Sequence, residues 1–146
     1  MTVAALDVDT VRVGDALPPA VHFPTPGQLV RYSGAARDWS DIHFDPDHAR
    51  KRGFPGVIVQ GLLKAAFLGE LVTDWAGSRS WVRRFATRYR GIDLPGDPLV
   101  CRGTVTSVER VLEECWIEIE LWTENRNGGV TTTGEALVVV PGAGLS

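Results

Sequence analysis

The segment VIVQGLLKAAFLGELVTDW, residues 57–75, decides the fold. Its apolar residues (Val57, Ile58, Leu62, Leu63, Ala65, Ala66, Phe67, Leu71, Val72 and Trp75) fall nearly all round a helix rather than along one stripe. Such a helix has to be covered on most of its sides. Gln60, Lys64 and Glu70 interrupt it, and it is too short to span a bilayer, so the cover is protein. Gly77 is its stop signal.

The cover lies downstream. Residues 80–90, 98–111, 115–125 and 130–140 are rich in β-branched and aromatic residues, with Gly-Asp-Pro, Leu-Glu-Glu and Asn-Arg-Asn-Gly-Gly as breaks. In the third of these, Trp116, Glu118 and Glu120 alternate with Ile117, Ile119 and Leu121, which predicts a strand with one buried face. Connections this short join antiparallel neighbours. Upstream, residues 10–24 read as an extended entry that supplies an N-terminal strand. Residues 27–36 predict a short helix after the Thr25-Pro26 start, and 46–52 another, capped by Asp45 and closed by Gly53. One buried helix with four antiparallel strands and an N-terminal one predicts an α+β fold. The sheet should curl around the helix in a single domain over residues 1–146.

A chain of 146 residues can bury one core without metals or disulfides. With 44% hydrophobic and 23% charged residues it is globular, and its net charge of −3 argues against nucleic acid as a partner. Cys101 and Cys115 lie inside predicted strands and read as reduced packing residues rather than a disulfide or nucleophiles. The chain start lacks the basic-then-apolar pattern of a secretory signal, and no segment reads as a membrane span. The expectation is a cytoplasmic protein.

The chemistry concentrates in RDWSDIHFDP, residues 37–46. Asp38 and His43 are five apart, so one ideal helix would point them about 140° from each other. They converge only if the chain turns through Trp39-Ser40-Asp41. If it does, a carboxylate orients an imidazole suited to general acid/base work near neutral pH. If it does not, the two are ordinary polar loop residues, and spacing alone does not separate these readings. Asp45 is accounted for by capping and Asp41 by solvation; His22 and His48 have no visible partner.

The run from Tyr32 to Leu63 resembles the MaoC-like dehydratases, the (R)-specific enoyl-CoA hydratase branch of the hot dog fold. Asp38, His43, Asp45, Ala49, Gly53-Phe54 and Gly61 stand at the family's signature spacings without a gap, with Ile42 and Ile58 at its apolar places. A shorter run, Val72 to Gly77, is similar to the small subunits of heteromeric enoyl-CoA hydratases of bacterial steroid side-chain degradation. There are departures. Ser40 and Asp41 stand where the family has asparagine and proline, and Gln60 where it has histidine before the helix glycine. These spare Asp38 and His43 but alter their surroundings, where substrate shape or the nucleophile would be set.

The resemblance implies a hydratase/dehydratase acting on 2-enoyl or 3-hydroxyacyl thioesters of coenzyme A or an acyl carrier protein. Asp38 and His43 would be its acid/base pair. The N–H of Gly61 would be the oxyanion donor, because the first N–H groups of a helix are unpaired and its dipole favours an anion. The same glycine also permits close helix-to-sheet packing. No metal or redox cofactor is implied. Trp39, Gln60 and Leu62 are candidate substrate contacts, with Leu63 beside them. Arg84 and Arg88 share a predicted strand face with Arg90, opposite Arg83, and are candidates for the carrier phosphates, or else a solvated or inter-subunit face. The fold implies a side-by-side dimer, with itself or with a related hot dog subunit. Two further readings share these residues: a thioesterase or amine-adding relative, and a non-catalytic acyl-binding subunit.

Overall fold

Four long strands and one long helix make the frame, in a computed structural model that describes residues 6–142. In chain order the elements are β1 (Ala20–His22), α1 (Pro26–Ala36), a 3-10 turn (Asp41–His43), α2 (Pro46–Lys51) and α3 (Gly61–Ala76), followed by β2 (Trp81–Tyr89), β3 (Leu99–Val111), β4 (Glu114–Glu124) and β5 (Val130–Pro141). The strands form one antiparallel sheet in the order β1-β3-β4-β5-β2, so β2 is an edge. Ile117, Ile119 and Leu121 of β4 and Ala136 and Val138 of β5 pack with Leu63, Phe67, Leu68, Leu71 and Val72 of α3 in one core. The sheet wraps the helix, which is the hot dog arrangement.

Local chemistry sets the helix ends. The Thr25 hydroxyl accepts from the Gln28 N–H at 3.1 Å with Pro26 in the first turn of α1, and the Asp45 carboxylate accepts from the N–H groups of Asp47 and His48 at the start of α2. Those backbone hydrogen bonds, the one from His48 foremost, hold the Asp45 carboxyl below its ordinary range. Gly53 follows α2 with φ of +90°, a conformation few other residues adopt.

The structure corrects two expectations. Helix α3 starts at Gly61 rather than at residue 57. Apolar content alone does not separate a buried helix from buried extended chain. Here residues 57–60 are held extended from outside, the Ile58 N–H donating to Ile42 O at 3.1 Å and the Val59 N–H to Asp93 O at 2.9 Å. In β2, a register shift between Val82 and Arg84 breaks strict alternation. The Arg83 guanidinium therefore lies over the Trp116 ring, 4.8 Å from its centroid, on the same outer face as Arg84 instead of opposite it.

Both cysteines are free and buried, and burial pushes the Cys101 thiol up to about 12. Among the described residues, no helix is long and apolar enough to cross a membrane. The first five residues, part of the stretch read for a secretory signal, lie outside the described residues.

Candidate active site

Asp38 and His43 meet because the chain leaves α1 through a turn at Arg37 and then doubles back between them. Helix α1 closes on Arg37 in the left-handed conformation (φ 55°), with the Asp38 N–H returning to Ser33 O at 3.0 Å. Ser40 is then extended, and the 3-10 turn brings His43 back. The result is a His43 Nε2 to Asp38 Oδ2 distance of 3.5 Å. His43 is buried, while the Asp38 side chain keeps about a third of its surface open, 31%.

Residues 57–60 hold the imidazole from the other side. Ile58 O accepts from His43 Nδ1 at 2.8 Å while the Ile58 N–H donates to Ile42 O. A carbonyl can only accept, so Nδ1 carries the proton and, in the neutral ring, Nε2 presents a lone pair toward the Asp38 carboxylate. Two acceptors 3.5 Å apart do not bond each other. They converge on a site for a group with two protons to give, such as water.

The same segment delivers the start of α3. Gln60 is the N-cap residue, yet its side chain makes no capping bond. Its amide nitrogen turns inward and donates to Leu29 O at 2.8 Å and Ser33 Oγ at 3.0 Å, leaving Oε1 buried and without a partner among the described residues. Among the described residues, the Gln60 side chain therefore leaves the first N–H groups of α3 uncapped, and such groups have no partner within their own helix. The Tyr89 ring of β2 stands over this helix start: a Cβ added at Gly61 would meet it at 2.9–3.0 Å.

The remaining predicted residues divide. Trp39 (64% exposed) and Leu62 (52% exposed) flank Asp38 and Gly61 in the chain and leave apolar surface open there. Gln60 is fully buried, its amide nitrogen turned toward Leu29 and Ser33 of α1. Arg84 and Arg88 project from the sheet face opposite α3, and the Arg84 guanidinium is already paired with Glu118 at 3.0 Å and Glu135 at 3.5 Å. A 540 Å³ concavity on that face is lined by these arginines together with Glu118, Glu120 and Glu135. Asp41 faces His48, at 3.8 Å.

Tyr32 and Tyr89 are additions that the sequence reading missed. Burial, then the neighbouring Tyr89 and Asp38, push the Tyr32 hydroxyl above its ordinary value, which puts all three in one electrostatic neighbourhood. The period-2 pattern of β2 places Tyr89 on the inner face, but its alignment with Gly61 depends on strand register against the helix.

The model of the MaoC like domain matches residues 9–122. The chain belongs to that family. Its members include hydratases and dehydratases, and this chain is an enzyme of that class. Over 82 residues, 55% of the chain, it is 33% identical to a fatty acid synthase beta subunit of Monascus ruber, of which the match spans 4%. Over 96 residues it is 30% identical to the 3-oxo-4,17-pregnadiene-20-carboxyl-CoA hydratase beta subunit of Mycobacterium tuberculosis, covering 66% of this chain and 74% of that one. The crystal structure of the ChsH1-ChsH2 complex of the same organism superposes with a TM-score of 0.80 at 27% identity, over 90% of this chain and 98% of that one.

Proposed function

We propose that this protein adds water to a 2-enoyl thioester, or removes it from the 3-hydroxyacyl thioester, with coenzyme A as the carrier. One observation carries the reading. His43 Nε2 stands 3.5 Å from an Asp38 oxygen, with the ring held through Nδ1, in the same fold as a helix whose N-cap side chain makes no capping bond.

In this scheme Asp38 and His43 accept the protons of one water. Its oxygen bonds the β-carbon as a proton passes to the pair, and the electrons of the double bond move toward the thioester carbonyl. The Gly61 N–H receives the negative charge that develops there, which mutational precedent values at about 3 kcal/mol for one such donor. The pair then returns a proton to the α-carbon, and the sum is one water added. No step draws on a metal or an organic cofactor. Trp39 and Leu62, exposed beside these residues, are the proposed contacts for the acyl group.

We place a second hot dog subunit along β2. This edge strand bears Trp81, Phe85 and Tyr89, exposed by 46, 37 and 48%, and one similar protein is named a beta subunit. With Arg84 spent on two glutamates, Arg88 is the proposed carrier-phosphate contact on the outer face, for which no partner is seen among the described residues.

The test follows loss of enoyl-thioester absorbance and appearance of free thiol together, with short and polycyclic 2-enoyl-CoA substrates and their acyl-carrier equivalents. Absorbance lost without thiol is the expected result. Thiol release would assign a thioesterase instead, and activity undiminished by His43→Ala in a subunit complex would assign a non-catalytic role.

A further inference from the structure

One charged pair lies outside the proposed chemistry and deep in the protein. Lys64, one turn into α3, and Asp93, in the β2–β3 connection, are buried with side chains 2% and 5% exposed, and Lys64 Nζ is 2.8 Å from Asp93 Oδ2. Nζ also donates to Gly91 O at 2.8 Å. Asp93 keeps its other oxygen, Oδ1, buried with no partner among the described residues. An ion pair so placed stabilises a fold no better than apolar residues of the same size. Stability therefore gives no account of it.

Its connections do. Asp93 acts with two groups at once: its carboxylate holds Lys64 of α3, and its backbone oxygen accepts from the Val59 N–H at 2.9 Å. On one side of Val59 is Ile58, whose carbonyl holds His43 Nδ1; on the other are Gln60 and Gly61, where α3 begins. The start of the connection is fixed as well, since the N–H groups of Arg90 and Gly91 both donate to Thr131 O of β5, at 2.8 and 3.0 Å. Asp93 thus joins the extended segment to the first turn of the helix, and the connection that carries it is tied to the sheet.

We propose that Lys64 and Asp93 are positioning residues that set the separation between the His43 imidazole and the Gly61 N–H. This deepens the hydratase reading and, for its catalytic consequence, rests on it. Neither side chain touches the substrate. The pair fixes where the water-activating group stands relative to the charge-stabilising one, a distance on which a two-site addition depends. Without it, residues 57–60 keep their backbone bonds but lose the strap that ties them to α3.

The test is the double variant Lys64→Met/Asp93→Leu, which removes both charges while keeping the volume filled, so that neither is left buried alone. Two readouts are made on the full chain, with its partner subunit if it has one. For 2-enoyl-CoA hydration, kcat is expected to fall on the order of 100-fold, as for a misplacement of about 1 Å, with KM changed little. In the NMR spectrum of histidine-labelled protein, the His43 Nδ1–H signal, protected in the wild type by its bond to Ile58 O, is expected to shift and exchange faster. Wild-type kcat with an unchanged His43 signal would overturn the proposal. So would a loss confined to KM. A wild type that hydrates no enoyl thioester would instead sink the hydratase reading, and the His43 signal would still decide the positioning. Should the double variant not fold, Asp93→Asn retains shape and backbone bond and is read in the same two ways.

Discussion

Gly61→Ala separates the two roles this glycine can have. The added methyl would meet three carbons of the Tyr89 ring at 2.9–3.0 Å, a distance that Cβ contacts do not tolerate. What it meets is the ring of a side chain that is 48% exposed in the single chain, a ring that can shift by a few tenths of an ångström. Against that displacement stands a gain, since alanine in a helix is favoured over glycine by roughly 0.5–1 kcal/mol. The two nearly offset, and the melting temperature should change by only a few degrees, in line with a net change of about 1 kcal/mol or less. Activity should behave differently. A methyl on Gly61 also crowds the helix start on which the proposed thioester oxygen would rest, and kcat/KM should fall roughly 100-fold, as when an oxyanion donor is lost. Thermal unfolding and the absorbance assay are measured on Gly61→Ala, Tyr89→Ala and the double variant. In the double variant the contact with the ring is gone, and activity should stay low. If Tyr89→Ala restores activity to Gly61→Ala, the glycine serves packing alone and the oxyanion assignment is wrong.

Further predictions concern the dyad, the core, a histidine and a thiol. His43→Gln and Asp38→Asn should each lower kcat by roughly 100- to 10,000-fold, the range for a lost general acid/base, and the double variant little more, because the pair acts as a unit; additive losses would contradict this. Leu68→Ala should cost about 2–5 kcal/mol in chemical unfolding, since Leu68 is wholly buried between α3 and the sheet; under 1 kcal/mol would contradict the packing. His22, stacked on Phe67 at 3.9 Å, has its pKa lowered from 6.5 by burial, against an opposing pull from Glu70. Above pH 6.5 its full stability contribution is present; as pH falls, the unfolded chain takes the proton first, and stability declines down through the lowered folded value. His22→Phe should flatten that decline in urea titrations, and an unchanged slope would remove His22 as its source. With its thiol pushed up to about 12, Cys101 should resist iodoacetamide at neutral pH until the protein is unfolded, and rapid labelling of the native protein would contradict its burial.

The fold was legible where side-chain pattern and backbone need agree. The alternation of Trp116 through Leu121 marked a one-faced strand, and Ile117, Ile119 and Leu121 are buried. Legibility failed at Val57 to Gln60, whose apolar residues suit a buried extended segment as well as a helix. The choice was made by partners far along the chain, Ile42 and Asp93. For the same reason Gln60 could be placed beside the helix start but not oriented: its amide is used by Leu29 and Ser33 of α1. The convergence of Asp38 and His43 depended on a left-handed Arg37, which no residue type at that position signals. The sequence spacing is compatible with the meeting, and the turns produce it.

The most direct test of the central claim is to run the reaction in ¹⁸O-labelled water with a 2-enoyl-CoA and weigh the product. The account predicts a 3-hydroxyacyl-CoA carrying the label at the hydroxyl, formed by the wild type and almost abolished in the Asp38→Asn/His43→Gln variant. Labelled product formed at equal rates by both proteins, or free coenzyme A in place of a hydroxyacyl thioester, would contradict it.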